Sequence, residues 1–204
     1  MSALLLPVPP GRRARRLTQL VAGLVLYGVS MALMVESTLG NMSWDVLHQG
    51  LAERTGLAFG LVTVLLSGVV LLLWLPLRQR VGVGTVANVV VIGFAVEAAL
   101  AVLPTPEALP VRLAFAGAGV LLNGLATAAY IGVGLGPGPR DGLMTGLVRR
   151  TGGSVRVVRT SIEVLVVLAG WLLGGTLGVV TVAYALAIGP LAQLFLPWCT
   201  VDPP

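Results

Sequence analysis

Charged residues, cysteine and histidine are all scarce in this sequence. Only 10% of its 204 residues are charged, whereas a soluble domain carries about 25%, so the chain lacks the charge to cover a water-facing surface. The single cysteine, Cys199, excludes an intramolecular disulfide and a multi-cysteine metal site. The single histidine, His48, excludes a histidine-cluster metal site, and no nucleophile–histidine–acid set stands out. We therefore expect no metal, no cofactor and no enzymatic activity.

Apolar residues, in contrast, dominate the chain and form long runs. They make up 56% of the sequence, and runs of about 20 residues match a hydrocarbon core about 30 Å thick. The runs are continuous rather than alternating at every second residue, which favours helices over a barrel. The sequence thus predicts an all-α, polytopic protein of the lipid bilayer with about six transmembrane helices. The predicted spans are residues 17–35, 57–77, 83–103, 111–131, 155–173 and 177–196.

The basic residues are few and lie mainly at the ends of the apolar runs. In such positions they orient helices and meet anionic headgroups, so the net charge of +5 does not indicate binding to nucleic acid. With the N-terminus in the cytoplasm, every arginine except Arg54 and Arg112 falls on the inner side. The positive-inside rule therefore favours six spans with both termini cytoplasmic.

The N-terminal segment is rich in proline and arginine. We expect residues 1–16 to form a disordered, basic cytoplasmic tail. The apolar run that follows is too long for the core of a typical signal peptide, and no clear small-x-small cleavage site follows it. Residues 17–35 are therefore interpreted as an uncleaved first membrane helix.

The chain resembles itself when it is shifted so that Asp45 falls on Asp141; residues aligned in this way are called equivalent below. Such self-similarity marks a duplicated unit, here residues 17–103 and 111–197. Because each unit holds three spans, the second enters from the opposite side, which predicts two inverted repeats as in secondary transporters. Matching segments include Leu39-Gly40 with Leu135-Gly136, Arg54-Thr55-Gly56 with Arg150-Thr151-Gly152, and Thr85-Val86-Ala87 with Thr181-Val182-Ala183.

A short polar helix is predicted between the first and second spans of each repeat, at residues 43–54 and 139–150. Ser43 is the expected N-cap of the first, Asp45 lies in its first turn, and Gly56 follows its end. About 12 residues make only about 18 Å of helix, too short to span the bilayer. Each short helix therefore either lies flat in the interface or dips into the protein as a re-entrant half-helix that presents its N-terminus to a ligand.

Two motifs in these segments carry a family resemblance. The run from Gly40 to Leu51, Gly-x-x-x-Trp-Asp-Val-Leu-His-Gln-Gly-Leu, resembles the signature of the YczE/YitT-type family of bacterial integral membrane proteins, and so does the run from Gly134 to Met144. The resemblance covers nearly the whole chain after the N-terminal tail and is closest to the YczE branch. It implies a polytopic protein of the bacterial plasma membrane, without a known substrate, cofactor or catalytic residue.

Five residues are candidates for a substrate site, namely Trp44, Asp45, Glu97, Arg140 and Asp141. The equivalent Asp45 and Asp141 either cap their helices or form a pair of carboxylates at a substrate or proton path. Arg140 is either a positive-inside anchor or an anion contact at a helix start. Glu97 lies inside a span, where a carboxylate is a functional candidate by default, unless it lies close enough to the outer interface to reach water.

Other polar or small positions have plainer interpretations. Glu163 follows Arg159 by one helical turn, which predicts an ion pair. Asn123 is expected to hydrogen-bond between helices, and the Gly-x-x-x-Gly pair that begins at Gly170 indicates close helix packing, within the chain or between chains. His48 is interpreted as an interfacial polar residue, with pH sensing as the alternative.

Two functions fit this pattern. The first is a transporter or carrier for a small molecule or ion, whose path the five candidate residues would line. The second is an accessory membrane protein without a transport cycle, which helps to assemble or localise a partner; the scarcity of buried charge and the lack of a substrate motif favour it. A homodimer is compatible with either.

Overall fold

Eight helices make up the fold in the computed structural model, which describes Leu6 and residues 11–201. The described residues contain no strand, so the prediction of an all-α protein is confirmed. The helices are α1 (Arg13–Ser37), α2 (Ser43–Thr55), α3 (Phe59–Leu77), α4 (Val83–Leu100), α5 (Leu109–Gly132), α6 (Pro139–Thr151), α7 (Val155–Leu172) and α8 (Val179–Cys199).

The predicted N-terminal tail is only partly covered by the described residues. Residues 1–5 and 7–10 of that tail, and residues 202–204 at the other end, lie outside them. Residues 13–16 belong to α1, so the tail prediction extended too far. Arginine and alanine favour a helix, and the helix continues through them into the apolar run. The other predicted bounds agree with the helices within three residues.

Five helices are long and apolar enough to cross a membrane: α1, α3, α4, α5 and α8. By this measure α7, the fifth of the six predicted spans, is not among them. It carries Arg156, Arg159 and Glu163 within 18 residues, and this charge interrupts its apolar surface.

The fold is built around α1 and α5, which pack along each other. α4 packs on α1, and α8 packs on α5. Small residues allow the central pair to approach closely, since a methyl group on Gly119 of α5 would lie 2.7 Å from the Met34 side chain of α1. Met31 and Met34 of α1 and Val96 of α4 are fully buried in the core around this pair. The short helices are held outside this centre, α2 against α7 and α3, and α6 against α3 and α7.

The two short helices form as predicted, except at the start of α2. Ser43 is the first helical residue, and Met42 in extended conformation precedes it as N-cap without a side-chain hydrogen bond. The N-cap prediction for Ser43 was therefore wrong by one position. Gly56 and Gly152 follow the two helix ends with φ of 70° and 67°, the left-handed conformation that glycine adopts most easily.

The halves hold each other through reciprocal hydrogen bonds. The Gly84 amide donates to the Leu135 carbonyl at 2.8 Å, and the equivalent Val180 amide donates to the Leu39 carbonyl at 3.1 Å. The loop before each short helix thus binds the start of the last helix in the opposite half.

Glycine is required at the centre of both of these contacts. Gly40 and Gly136 have φ of 118° and 117°. A methyl group on Gly40 would lie 2.8 Å from the Gly178 nitrogen, and one on Gly136 would lie 2.9 Å from the Gly82 Cα. Equivalent positions therefore make the same close contact with the opposite half.

The halves differ where their last two helices meet. α3 packs along α4, and a Cβ on Gly93 would lie 3.7 Å from Val64 Cβ and only 2.3 Å from its Cγ2. The equivalent helices α7 and α8 hardly touch, and a Cβ on Gly189 would meet nothing within 4 Å. A cleft therefore separates α7 from α8 and has no counterpart between α3 and α4.

The close packing expected at Gly170 is confirmed, and it occurs within the chain. A methyl group there would lie 2.4 Å from the Leu47 nitrogen and 2.5 Å from the Val46 carbonyl carbon. Gly170 thus lets α7 lie directly on the backbone of α2, and this contact needs no second copy of the chain.

Candidate functional site

A cavity of about 350 Å³ lies where the two halves meet, and residues of all eight helices line it. Its size is in the range of small-molecule sites. The first turns of α2 and α6 reach its wall through Ser43 and Trp44 on one side and Pro139, Arg140 and Asp141 on the other. The cavity extends between α7 and α8, because Ile162, Ile188 and their neighbours on both helices line it.

Trp44 and Arg140 are equivalent residues, and they face each other across the cavity wall. The guanidinium carbon of Arg140 lies 5.2 Å from the centroid of the Trp44 ring, within the range of a cation–π interaction. Nη2 of Arg140 also lies 3.6 Å from Oδ1 of Asp45, beyond hydrogen-bonding distance. The Arg140 side chain keeps 26% of its surface exposed.

Asp45 does not line the cavity itself; it lies behind Arg140 and is fully buried, with 0% of its surface exposed. Neither carboxylate oxygen accepts a hydrogen bond from the described residues. Nδ1 of His48 is 3.2 Å from Oδ1, and the Thr63 hydroxyl is 3.3 Å from the same nitrogen. Burial lowers the pKa of His48, an effect that its contact with Asp45 opposes. His48 is therefore a buried residue, not the interfacial one that was expected.

Asp141 lies on the cavity wall, where its Oδ2 accepts a hydrogen bond from the Tyr130 hydroxyl at 2.9 Å. Asp45 accepts no hydrogen bond from the described residues, the amides of its own helix start included. The capping interpretation is therefore wrong for Asp45, and the hydrogen bond that the structure shows for Asp141 comes from Tyr130 instead. Their location in first turns still suits the positive end of each helix dipole.

Glu97 is the one candidate that does not join the others. Its Oε2 accepts a hydrogen bond from the Gly60 amide at 2.8 Å, which fastens α4 to α3. It does not line the cavity, whereas its equivalent, Gln193, does. The structure thus brings Trp44, Asp45, Arg140 and Asp141 together and assigns Glu97 to helix packing.

Tyrosines were not among the predicted site residues. All three tyrosines of the chain, Tyr27, Tyr130 and Tyr184, line the cavity. Tyr184 donates to Asn123 at 2.8 Å, and Asn123 donates to Ser30 at 2.8 Å, which confirms the expected hydrogen bond between helices at Asn123. The sequence could have indicated this part of the cavity wall, because all three tyrosines lie in otherwise apolar predicted spans.

The Arg159–Glu163 ion pair is confirmed, with Nε and Oε1 at 3.1 Å, and both residues line the cavity. The charged side of α7 thus faces the cavity. Among the described residues, no group of three or more histidine, cysteine, aspartate or glutamate residues could hold a metal ion.

Long apolar helices that enclose a cavity with charged and tyrosine side chains in its wall define the class of this molecule as a helical integral membrane protein. Residues 14–197 match a family of unknown function (DUF6198), and the chain belongs to that family.

Two relatives are similar to the chain over most of its length. The chain is 43% identical over 177 residues to an "Uncharacterized protein" of Haemophilus influenzae, and the alignment covers 87% of this chain and 81% of the relative. It is 30% identical over 184 residues to the "Uncharacterized membrane protein YczE" of Bacillus subtilis, which covers 89% of this chain and 86% of that protein. The resemblance to YczE-type proteins is therefore confirmed, and with it the membrane location. No solved structure matches.

Proposed function

We propose that this chain is a small-molecule carrier of the bacterial plasma membrane and that the cavity between its halves is the substrate site. The observation that carries the proposal is a cavity at the junction of the halves, walled by Trp44, Arg140 and Asp141 at two helix starts. Carriers built from repeats bind their substrates at the repeat interface, on broken or short helices. A protein that only supports a partner does not need such a cavity.

In this proposal α7 is the sixth span. Its charged residues Arg159 and Glu163 face the cavity, while Leu165, Leu168 and Leu172 are exposed on the outer side. Three spans in each half then give inverted repeats. The distribution of arginines favours both termini in the cytoplasm.

The reciprocal contacts between halves support the inverted arrangement. Leu39 and Leu135 accept hydrogen bonds from equivalent amides of the opposite half, as a two-fold relation requires. The short helices α2 and α6 then dip into the protein rather than lie flat, because their first turns meet at the cavity.

Transport would follow from the one marked difference between the halves. In this conformation α3 is closed on α4, and α7 stands away from α8. Inverted repeats can exchange their conformations, so that each adopts the arrangement of the other. The exchanged state has α7 closed on α8 and α3 apart from α4, which moves the opening of the cavity to the other side of the membrane.

A ligand-stabilisation screen on the purified protein in detergent tests this function. A ligand that binds only the folded state raises the apparent Tm by mass action. We expect a saturable hit from a library of metabolites, which the Asp45→Asn/Asp141→Asn variant loses while it stays monodisperse. Glu107→Gln, in the exposed loop before α5, removes a carboxylate outside the cavity and should keep the hit.

The accessory-protein alternative predicts a different outcome. In that case no compound of any class would raise the apparent Tm of the wild type. The Asp45→Asn/Asp141→Asn variant would then differ from the wild type in stability alone. Such a result would reject the carrier.

A further inference from the structure

We infer that the cavity contains a subsite for a monovalent organic cation with N–H groups, an ammonium or guanidinium ion, formed by Trp44 and Asp45 and occupied in this structure by the side chain of Arg140. This inference rests on the proposed carrier function and names its substrate class. Arg140 acts as a tethered occupant that the substrate displaces.

The first reason is the unsatisfied carboxylate of Asp45. It is fully buried, and neither oxygen accepts a hydrogen bond from the described residues, not even from His48, whose Nδ1 lies 3.2 Å from Oδ1. A buried carboxylate is stable only when it is paired and hydrogen-bonded. Arg140 supplies a charge at 3.6 Å but no hydrogen bond. A small cation with N–H groups could approach closely and form the charge-assisted hydrogen bonds that are missing.

The second reason is the aromatic face beside this carboxylate. Trp44 is the neighbour of Asp45 in the chain, and the guanidinium of Arg140 already stacks over its ring at 5.2 Å. An aromatic face next to a carboxylate is the combination that recognises organic cations. Both recognition groups belong to α2, whereas the cation that fills the subsite reaches across from α6.

The third reason is the balance of charge at the cavity. Arg159 and Glu163 pair with each other at 3.1 Å. Among the described residues this leaves Asp141, which lines the cavity, and Asp45, which lies behind its wall, against the single guanidinium of Arg140. Burial lowers the pKa of His48 beside Asp45 and so favours its neutral form. One further positive charge therefore balances the site, which favours a monovalent cation over an anion.

Displacement of Arg140 is structurally feasible. Its side chain lines the cavity and is 26% exposed, so it can withdraw into the cavity without unpacking a helix. Because it links α6 to Trp44 and Asp45 of α2, its withdrawal also loosens a contact between the halves. Cation binding would thereby be coupled to the exchange of conformations.

The experiment titrates the purified full chain with methylguanidinium chloride at fixed pH and follows the apparent Tm and the heat of binding. Methylurea is the neutral control of nearly the same shape, tetramethylammonium is a cation without N–H groups, and sodium chloride matches the ionic strength. We expect saturable binding of methylguanidinium, weaker binding of tetramethylammonium, and none of methylurea.

Variants then identify the subsite. Arg140→Gln removes the tethered occupant, so methylguanidinium should bind about tenfold more tightly. Asp45→Asn and Trp44→Leu should each weaken binding, about tenfold or more for Asp45→Asn because a charge-assisted hydrogen bond is lost. Glu107→Gln should match the wild type. Trp44→Leu keeps the test decisive if Asp45→Asn does not fold.

Three results would overturn the inference: equal binding of methylurea, unchanged affinity in both Asp45→Asn and Trp44→Leu, or loss of cation binding in Arg140→Gln. A neutral or anionic ligand that binds and depends on Trp44 would reject the cation class but leave the carrier intact. Failure of every compound in the screen would reject the carrier itself.

Discussion

At the scale of single residues, each short helix is held by a contact between a glycine on one helix and a larger residue on the other. Trp74 of α3 lies against Gly142 of α6, and its indole donates to the Pro139 carbonyl at 3.0 Å. In the equivalent contact the small residue is on the other helix, since Gly170 of α7 lies against Val46 of α2. The position of Arg140, which follows Pro139, therefore depends on Trp74 and on the absence of a side chain at Gly142.

Gly142→Ala is expected to destabilise the protein because the new methyl group would lie 1.9 Å from the Trp74 ring. Crowding of this kind costs about 1–3 kcal/mol. Gly68→Ala is the matched control, since Gly68 is also helical but has open space around its Cα. The apparent Tm in one detergent should fall for Gly142→Ala and stay unchanged or rise for Gly68→Ala. A fall of equal size in both would contradict this packing.

The sequence was sufficient to predict that four of the five candidate residues lie near one another, because the repeat aligns Asp45 with Asp141 and because Trp44 and Arg140 are their neighbours in the chain. It could not identify the partners of Glu97, since a carboxylate inside a span can turn to a cavity or to a neighbouring amide. That choice depends on helix rotation, and here Gly60 is close enough to donate to it.

At the scale of elements, the number of membrane spans depends on whether α7 crosses the bilayer. The apolar runs alone were sufficient to locate every long helix, because a span needs little more than length and hydrophobicity. The apolar runs could not show that α7 has one charged side and one apolar side. Its charge is compatible with a span only if Arg159 and Glu163 face a hydrated cavity, and the cavity exists only once the halves have packed together.

Cysteine accessibility tests this interpretation of α7. In a Cys199→Ser background, Ile162→Cys lies on the cavity wall, whereas Leu165→Cys lies on the outer side with 66% of Leu165 exposed. A water-soluble thiol reagent applied to native membranes should label Ile162→Cys and not Leu165→Cys, because lipid excludes the reagent. Labelling of Leu165→Cys alone would contradict a spanning α7.

At the scale of the whole molecule, the reciprocal contacts predict that equivalent substitutions have equivalent effects. Gly40→Ala and Gly136→Ala should lower the apparent Tm by similar amounts, since each combines a left-handed backbone with a contact below 3 Å. Gly56 has the same left-handed backbone, but a Cβ there would meet nothing within 4 Å. Gly56→Ala should therefore lower the free energy of unfolding only by the cost of that backbone conformation, about 1 kcal/mol. A large loss at one of the first two positions alone would argue against related halves.

The measurement that tests the carrier most directly is disulfide cross-linking of two equivalent pairs in native membranes, again in the Cys199→Ser background. A Cβ at position 93 lies 3.7 Å from that of Val64, which suits a disulfide, so Val64→Cys/Gly93→Cys should cross-link in this conformation. Thr160→Cys/Gly189→Cys spans the open cleft and should cross-link only in the exchanged state. We expect both pairs to cross-link, in separate molecules, and a bound substrate to change the ratio of the two products. Cross-linking of the first pair alone, under every condition, would contradict the proposed carrier.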